Sequence, residues 1–282
     1  MADHGMLPLD QWPERDRRGI VGVFTDIDDT LTTDGAITDD ALDALGRLTD
    51  AGLRVIAITG RPVGWSLPFA RSWPVDAIVP ENGAVALVRE LAYSPHGEVP
   101  VGLRRLYQQD EATRQAHFAR RQAVAQRVLR EVPGSTLARD SAGRETDIAI
   151  DHSEFAHLPS ADIARVVAIL QSEGMTATVS SIHVNAWFGG HNKLEGARWI
   201  VRELYQRDLD AERGRWVYVG DSTNDQLMFE AFGNSVGVAN IRRFLGELTH
   251  LPRFVSRSER GAGFSEMVDM LLAPRASHPD TG

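Results

Sequence analysis

The chain has 282 residues, no cysteine, a formal net charge of −9 and an apolar fraction of 43%. A chain of this length can bury a sizeable core, and its apolar fraction is typical of globular proteins. The negative charge argues against a nucleic-acid partner, and the lack of cysteine excludes disulfides and thiolate metal sites. No apolar stretch approaches the roughly 18–20 residues that span a bilayer, and the beginning lacks the apolar segment of a secretory signal. We therefore expect a soluble cytoplasmic protein with no membrane partner; the oligomeric state is not indicated.

Short apolar runs that stop abruptly at polar residues recur in the first and last parts of the chain. These runs are GIVGVF, LRVIAI, VDAIV, RWVYVG and NSVGVA. Continuous apolar runs rich in Val and Ile are typical of strands covered on both faces, as in parallel sheets. Helices are predicted over 38–52, with Thr38 as N-cap and leucines at helical spacing from Leu42, and over about 193–205. Alternating strands and helices predict an α/β fold with a doubly wound, mainly parallel, Rossmann-like core.

The middle of the chain has a different pattern. A long charged helix is predicted over 108–134, then a strand, TDIAID, a helix over 160–174, and one further strand, TATVSSIHVNAW. This order predicts an α+β cap domain over 93–187, inserted into a core formed by 1–92 and 188–282. The leader over 1–18 has no predicted role beyond Trp12 packing on the core, and the polar tail from about Pro274 is expected to fray.

Polar side chains follow several of the predicted strands at the point where each strand ends. In open α/β sheets, ligands bind beyond the carboxyl ends of the strands, so these side chains should converge. The converging set is Asp26, Asp28, Thr59, Arg61, Asp221 and Asp225, with Lys193 from the start of a helix. Several carboxylates in one crevice call for a cation, and oxygen ligands that retain water suit Mg²⁺. Such a magnesium site usually also binds a substrate phosphate.

Each of these signals is weak by itself. An acidic pair is commonly a solvated turn, a Thr-Gly pair often marks a strand end, and an isolated lysine is usually on the surface. Together, in this order and each near an apolar run, they form a strong pattern. Arg61 could contact substrate, brace the cap or form a structural salt bridge. No histidine pair has helical ligand spacing, so zinc is not expected.

The motifs DIDDT (26–30), TGR (59–61), Lys193 and GDSTND (220–225) together resemble the four ordered motifs of the haloacid dehalogenase superfamily of phosphatases. The inserted module lies between the second and third motifs. This position is similar to the capped branch (subfamily IIB) that includes Cof-type, sucrose-phosphate and mannosyl-phosphoglycerate phosphatases and phosphomannomutases. PENGA (80–84) also resembles a stretch common in that branch. The likeness covers roughly 18–92 and 188–273, while the cap is similar only in its position and element order.

The resemblance implies roles for these residues. Asp26 would be the nucleophile that forms an aspartyl-phosphate, and Asp28 the general acid and base. Thr59, Gly60 and Lys193 would bind the phosphoryl oxygens. Mg²⁺ would be held by Asp26, Asp221 and the backbone carbonyl of Asp28. Supporting roles would fall to Asp225, which would orient Lys193 or a metal-bound water, to Asn224, which would face the substrate, and to Arg61.

In the cap, four residues are candidates for contact with the substrate: Arg144, His183, Asn185 and Trp187. The last three alternate along a predicted strand, so they share one face of it. That face could meet the leaving group, or it could be an ordinary solvated sheet face. His191, just before Lys193, is expected to be a loop residue.

The predicted function is a Mg²⁺-dependent phosphatase acting on a small phosphomonoester, with a sugar phosphate favoured. The alternative is a phosphomutase, which would use the same intermediate and would need cationic cap residues, such as Arg139 and Arg144, for a second phosphate. A third hypothesis, a non-catalytic sugar-phosphate-binding protein, is disfavoured because Asp26, Asp28 and Lys193 are all present. The sequence does not identify the physiological ester.

Overall fold

Fifteen strands and nine helices are found in the described residues of this computed structural model, 5–94 and 97–273. The strands are β1 (Leu7–Pro8), β2 (Gly22–Thr25), β3 (Thr32–Thr33), β4 (Ala36–Ile37), β5 (Arg54–Ile58), β6 (Ala77–Val79), β7 (Val85–Ser94), β8 (Gly97–Tyr107), β9 (Thr136–Leu137), β10 (Asp147–Asp151), β11 (Thr176–Val179), β12 (His183–Trp187), β13 (Trp216–Gly220), β14 (Asn234–Gly237) and β15 (Phe254–Val255). The helices are α1 (Glu14–Arg18), α2 (Asp39–Asp50), α3 (Val63–Ser72), α4 (Glu111–Glu131), α5 (Ser160–Ser172), α6 (Lys193–Tyr205), α7 (Leu209–Glu212), α8 (Gln226–Ala231) and α9 (Arg260–Leu272).

Nine of the strands form the central sheet, in the order β1-β15-β14-β13-β2-β5-β6-β7-β8. The ladder is parallel from β1 to β6, and β7 and β8 extend it as an antiparallel hairpin. Each of the five apolar runs contains one of these strands, so the predicted mainly parallel α/β core is confirmed.

Apolar side chains cover both faces of this sheet. Along β2, Val23 packs into a cluster with residues of α2 and α9, whereas Phe24 packs into a second cluster with residues of α6 and α8. Val217 and Tyr218 of β13 divide in the same way. Because successive strand residues point to opposite faces, helices on both sides bury a continuous apolar run. Helices therefore pack against both faces of the sheet whose strand ends carry the predicted site residues.

The cap is a four-stranded antiparallel sheet in the order β11-β12-β10-β9, covered on one face by α4 and α5. Ile148 and Ile150 of β10 and Val184 and Ala186 of β12 face these helices. The alternate residues of β12 therefore lie on the other face. That face is turned toward the core, since Asn185 bonds to the carbonyl of Gly60.

Three details differ from the sequence predictions. TATVSSIHVNAW forms a hairpin, β11 and β12, rather than one strand, because the N–H of Ser180 bonds back to the carbonyl of His183. Thr38 stands at the N-cap of α2, but its side chain makes no capping bond. The buried face of α2 comprises Ala41, Ala44, Leu45 and Leu48, which leaves Leu42 36% exposed.

The predicted start of the inserted domain lies within a strand of the central sheet. That start, residue 93, falls in β7, and β8 pairs with β7 in the central sheet up to Tyr107. The division of the chain into two domains is otherwise still a prediction.

The leader packs onto the core through Trp12, as expected. Its indole donates to Asn234 Oδ1 at 3.1 Å and stacks on Phe254. The expected frayed tail from Pro274 lies outside the described residues. Among those that are described, none of the helices combines the length and the apolar character that a membrane crossing requires.

Candidate active site

Three central strands end side by side, and each is followed by a residue predicted for the site. Val219 of β13 pairs with Thr25 of β2, and Thr25 pairs with Ala57 of β5. Because the carboxyl ends of parallel strands meet at one edge of a sheet, the residues after them lie together. This register brings together Asp26, Thr59 and Asp221.

Lys193 enters the same crevice from the first turn of α6. The side chain of Asn192 caps this helix by accepting the N–H of Glu195 at 3.0 Å. Lys193 Nζ lies 3.0 Å from Asp26 Oδ1 and 2.7 Å from Asp225 Oδ1. Burial would lower the pKa of Lys193, but the carboxylates of Asp225 and Asp26 outweigh burial and raise it above its ordinary value. The crevice therefore contains a permanent buried cation beside Asp26.

Asp225 has protein partners at both of its oxygens. Its Oδ1 accepts from Lys193 and from the hydroxyl of Tyr218. Its Oδ2 accepts the backbone N–H groups of Asp221, at 2.9 Å, and Ser222, at 3.1 Å. A carboxylate engaged by so many donors is poorly available to a metal. Of the two roles expected for Asp225, orienting Lys193 or orienting a metal-bound water, this geometry favours the first.

Asp221 has the opposite environment. Its Oδ2 accepts from Asn240 Nδ2 at 3.0 Å, while Oδ1 is buried and has no hydrogen-bond partner among the described residues. Burial, followed by repulsion from Asp225 and Asp26, raises the pKa of Asp221 well above its ordinary value. Carboxylate oxygens of these three aspartates all lie within 4.8 Å of one another. An unpaired buried oxygen beside a second carboxylate fits a hard divalent cation, with Asp221 and Asp26 as ligands.

Asp26 directly follows β2 and is buried, with 3% of its surface exposed. Burial raises its pKa to about 7, against the attraction of Lys193 and with added repulsion from Asp225 and Asp28. A carboxylate in this position is stripped of most water, and it would be fully ionised only with further positive charge nearby. A bound cation would supply that charge.

Asp28 is held by Arg61, whose Nε lies 2.9 and 3.1 Å from its two oxygens. The same guanidinium reaches two carboxylates of the cap, with Nη2 at 3.0 Å from Glu154 and Nη1 at 3.4 Å from Asp140. Arg61 is 6% exposed and also lies over the ring of Trp65. Of the roles considered for Arg61, the structure therefore shows an ion-pair link between Asp28 and the cap.

The carbonyl of Gly60 is a second point of contact between the core and the cap. It accepts from Arg144 Nη1 at 3.0 Å and from Asn185 Nδ2 at 3.3 Å. The guanidinium of Arg144 is also paired with Asp147 at 2.9 Å and with Asp140 at 3.1 Å. Arg144 is thus committed to holding the cap on the loop that carries Thr59 and Gly60. It does not offer the free cation that a mutase would need, and Arg139 stacks on Phe155 instead.

The remaining cap candidates divide into two groups. His183 and Asn185 line the space beside Asp26, and His183 Nε2 also lies 2.9 Å from Glu154 Oε2. Trp187 is fully buried; it donates its indole N–H to the carbonyl of His191 and stacks on that ring. The shared face of β12 is therefore packed against the core rather than solvated, and Trp187 has a packing role there.

Thr59 and Asn224 also border the crevice. The hydroxyl of Thr59 is buried and accepts the backbone N–H of Arg61 at 3.0 Å. Asn224 lines the space beside Asp26 and accepts a bond from Ser222 Oγ at 3.0 Å. Their placement is compatible with the predicted contacts to phosphate and substrate.

Several supporting residues were not predicted from the sequence as parts of the site. Glu81, in PENGA, is fully buried and accepts the backbone N–H groups of Glu145 and Thr146 in the cap, at 2.8 and 2.5 Å. Asn240 holds Asp221 and also bonds the carbonyl of Asp29 at 2.9 Å. Tyr218 bonds to Asp225, and Glu154 pairs with Arg61, so each acts through a residue of the predicted site. Asn240 ends an apolar run, so the sequence indicates that it lies at a strand end. The sequence does not indicate that its partner is Asp221.

The cap leaves little space over Asp26. The space beside Asp26 is only about 10 Å³, close to what one water needs. A larger cleft of about 410 Å³ adjoins it and shares Asp28, Arg61, Ser181 and Ile182 with it. The space beside Asp26 is too small for a phosphoryl group in the closed arrangement.

Together, the doubly wound core, the cap and the acidic crevice with a buried lysine form the arrangement that the sequence motifs predict for a capped hydrolase. A family model described as haloacid dehalogenase-like hydrolase matches residues 23–95. Over this segment the chain is similar to the haloacid dehalogenase-like hydrolases, and its fold is shared by solved structures that include a HAD/COF-like hydrolase and a sucrose-phosphatase.

Individual relatives cover nearly the whole chain. A protein of Pyrobaculum neutrophilum named phosphoglycolate phosphatase is 25% identical over 263 residues, 91% of this chain and 98% of that protein. A HAD/COF-like hydrolase from Plasmodium vivax has a TM-score of 0.62 at 16% identity, covering 92% of this chain and 98% of its own. The sucrose-phosphatase from Synechocystis, solved with sucrose and phosphate, has a TM-score of 0.60 at 16% identity, covering 89% and 97%. These two structures share the fold.

Proposed function

We propose that the protein is a Mg²⁺-dependent phosphatase that hydrolyses a small phosphomonoester through an aspartyl-phosphate on Asp26. One observation carries this proposal: the ammonium of Lys193 bonds to both Asp26 and Asp225, while Asp221 presents an unpaired buried oxygen in the same crevice. These groups would supply a nucleophilic carboxylate, a cation for the phosphoryl oxygens and a metal ligand. The phosphatase names of the Pyrobaculum and Synechocystis relatives support the same class of reaction.

In the first step, a carboxylate oxygen of Asp26 attacks phosphorus and the bond from phosphorus to the leaving oxygen breaks. Asp28, two residues further along, gives its proton to that oxygen, so the product leaves as a neutral alcohol. Lys193 and the hydroxyl of Thr59 bind the equatorial oxygens, where negative charge is concentrated. Hydrogen bonds from Arg61 hold the side chain of Asp28 at the edge of the crevice.

In the second step, Asp28 takes a proton from a water molecule, which attacks the phosphorus of the aspartyl-phosphate. The acyl-phosphate bond breaks, inorganic phosphate forms, and Asp26 returns to its free state. The closed cap leaves room for little more than one water beside Asp26, so it limits competing reactions at this stage.

The metal is assigned to three oxygen ligands: Asp26, Asp221 and the backbone carbonyl of Asp28. When bound, Mg²⁺ would neutralise the repulsion between the carboxylates and the anionic phosphate. The unpaired oxygen of Asp221 supports this assignment, and Asn240 fixes the plane of that carboxylate.

A sugar phosphate is the favoured substrate class. The cleft of about 410 Å³ beside Asp28 can accommodate a small alcohol, and hydroxyl and carboxylate groups, such as Ser181 and Glu154, line it. Such groups bond well to the hydroxyls of a sugar. The sucrose bound to the Synechocystis relative supports the same class.

Phosphate release from a panel of phosphorylated metabolites, with and without Mg²⁺, tests the proposal. We expect Mg²⁺-dependent release that Asp26→Asn abolishes. As a matched variant, Asp28→Asn should retain hydrolysis of p-nitrophenyl phosphate better than hydrolysis of alkyl esters, because a nitrophenolate leaves without a proton. Full activity in Asp26→Asn would contradict the assignment of the nucleophile.

A further inference from the structure

The cleft beside Asp28 is where the alcohol part of a substrate must lie. It adjoins the space beside Asp26, and Asp28 and Arg61 line both. With phosphorus next to Asp26 and the leaving oxygen next to Asp28, the rest of the ester extends into this cleft. The charged groups that line it therefore act on the leaving group.

The cleft has an excess of negative charge. Its charged lining consists of four carboxylates and two guanidinium groups, from Asp28, Asp29, Asp34, Glu154, Arg61 and Arg260. Each guanidinium is already paired with two of these carboxylates. Arg61 binds Asp28 and Glu154, and Arg260 lies 3.1 Å from Asp29 and 3.2 Å from Asp34. A leaving group that has its own carboxylate would have to displace one of them.

Glu154 is the carboxylate best placed to compete for Arg61. Its Oε1 lies 3.0 Å from Arg61 Nη2, and its Oε2 lies 2.9 Å from His183 Nε2. Its backbone N–H is held by Asp151 Oδ1 at 2.9 Å. Burial would raise the pKa of Glu154, but His183 and Arg61 lower it to about 2. Glu154 is therefore a fixed anion across the ordinary pH range.

We propose that Glu154 is a specificity-determining residue, which occupies Arg61 and so selects esters with neutral, hydroxylated leaving groups over esters whose leaving group is anionic. The inference rests on the proposed function, because it requires that the cleft receives the alcohol part of a phosphomonoester. Glycerol 3-phosphate is then a better substrate than 3-phosphoglycerate, in which a carboxylate replaces the terminal hydroxymethyl group. Repulsion between Glu154 and an anionic leaving group, rather than an added attraction to a neutral one, provides the discrimination.

The test compares kcat/KM for these two esters in the wild type and in Glu154→Gln, which keeps the shape and removes the charge. Where turnover is slow, inhibition constants against p-nitrophenyl phosphate give the corresponding ratio of binding affinities. We expect the wild type to prefer glycerol 3-phosphate by about tenfold or more, and the variant to lose most of this preference through improved use of 3-phosphoglycerate. Glu154→Asp, which keeps the negative charge that Glu154→Gln removes, should retain part of the preference for glycerol 3-phosphate.

Asp34→Asn is the matched control, since Asp34 is another cleft carboxylate but pairs with Arg260 rather than Arg61. It should change the ratio by less than about twofold, because Asp34 is 86% exposed at its side chain and well solvated. An unchanged ratio in Glu154→Gln, or a wild type that prefers 3-phosphoglycerate, would overturn the inference alone. A wild type that releases phosphate from no ester, p-nitrophenyl phosphate included, would overturn the proposed function and the inference with it.

Discussion

Gly196 of α6 lies directly against Gly83 in the turn after β6. A Cβ placed on Gly196 would come within 2.6 Å of the Cα of Gly83, a separation that real Cβ atoms do not show. Gly83 has φ +104°, a conformation that L side chains rarely adopt. The two glycines allow α6 to approach the backbone of the turn, and this approach fixes the helix one turn from Lys193.

Gly196→Ala should therefore disturb the site as well as the fold. We expect a loss of about 1–3 kcal/mol in the free energy of unfolding, because backbone rather than a flexible side chain must move. The shift of α6 should also lower kcat by displacing Lys193. Gly46→Ala is the control: it lies within α2 with open space around its Cβ, so it should stabilise by about 0.5–1 kcal/mol. Denaturant titration and steady-state kinetics measure both effects.

Lys193→Met should remove the cation that bonds to Asp26 and Asp225. We expect kcat/KM to fall by about a hundredfold to a thousandfold, since a buried cation aimed at the phosphoryl oxygens is lost. Lys193→Arg should recover little, because the larger guanidinium cannot fit a side-chain position that is only 2% exposed. Activity within a few-fold of the wild type in Lys193→Met would contradict the site as described.

The stability of the metal-free protein should depend on pH through Asp26. Its pKa is raised from 3.8 to about 7, so between these values the native state retains a proton that the unfolded chain has lost. The free energy of unfolding should therefore fall as pH rises through this interval. Asp26→Asn should weaken that dependence, to which buried Asp147 and Asp221 also contribute through their raised pKa values, and saturating Mg²⁺ should flatten it by keeping Asp26 deprotonated in the native state. Thermal unfolding across this pH interval, with and without Mg²⁺, measures each effect; a wild-type curve that rises with pH in the absence of metal would be inconsistent with the buried aspartates.

Asn240→Ala should lower the affinity for Mg²⁺ clearly, and it should lower the free energy of unfolding less. Asn240 orients the carboxylate of Asp221 without reaching the substrate, and loss of such a partner typically costs about 10–100-fold in metal affinity. Calorimetric titration with Mg²⁺ should show this loss, and high Mg²⁺ should restore much of kcat. A variant with normal Mg²⁺ affinity would show that Asn240 has no part in positioning Asp221.

The strands and motifs of the core were predictable because each is local. An apolar run that ends at Asp26 or Thr59 indicates a buried strand and the carboxyl end at which a ligand would bind. This prediction requires no knowledge of the neighbouring strands. The capping of α6 by Asn192 and the start of this helix at Lys193 are local in the same sense. Parallel strand register then makes the convergence of these residues a consequence of the fold.

The links between cap and core could not be predicted, because they join residues far apart in the chain. Arg61 meets Glu154 across 93 positions, and Glu81 meets Thr146 across 65. A lone arginine or glutamate has no pattern that names its partner. Arg144 illustrates the difficulty, since its charge suggested contact with substrate, whereas its guanidinium is paired with Asp147 and the carbonyl of Gly60.

The most direct test of the central claim is mass spectrometry of the enzyme quenched in acid during turnover of a phosphomonoester with Mg²⁺. We predict a phosphoryl group on the peptide that contains Asp26, absent without Mg²⁺ and absent in Asp26→Asn. Steady release of phosphate from an enzyme that never has this modification, or has it at another residue, would contradict the account.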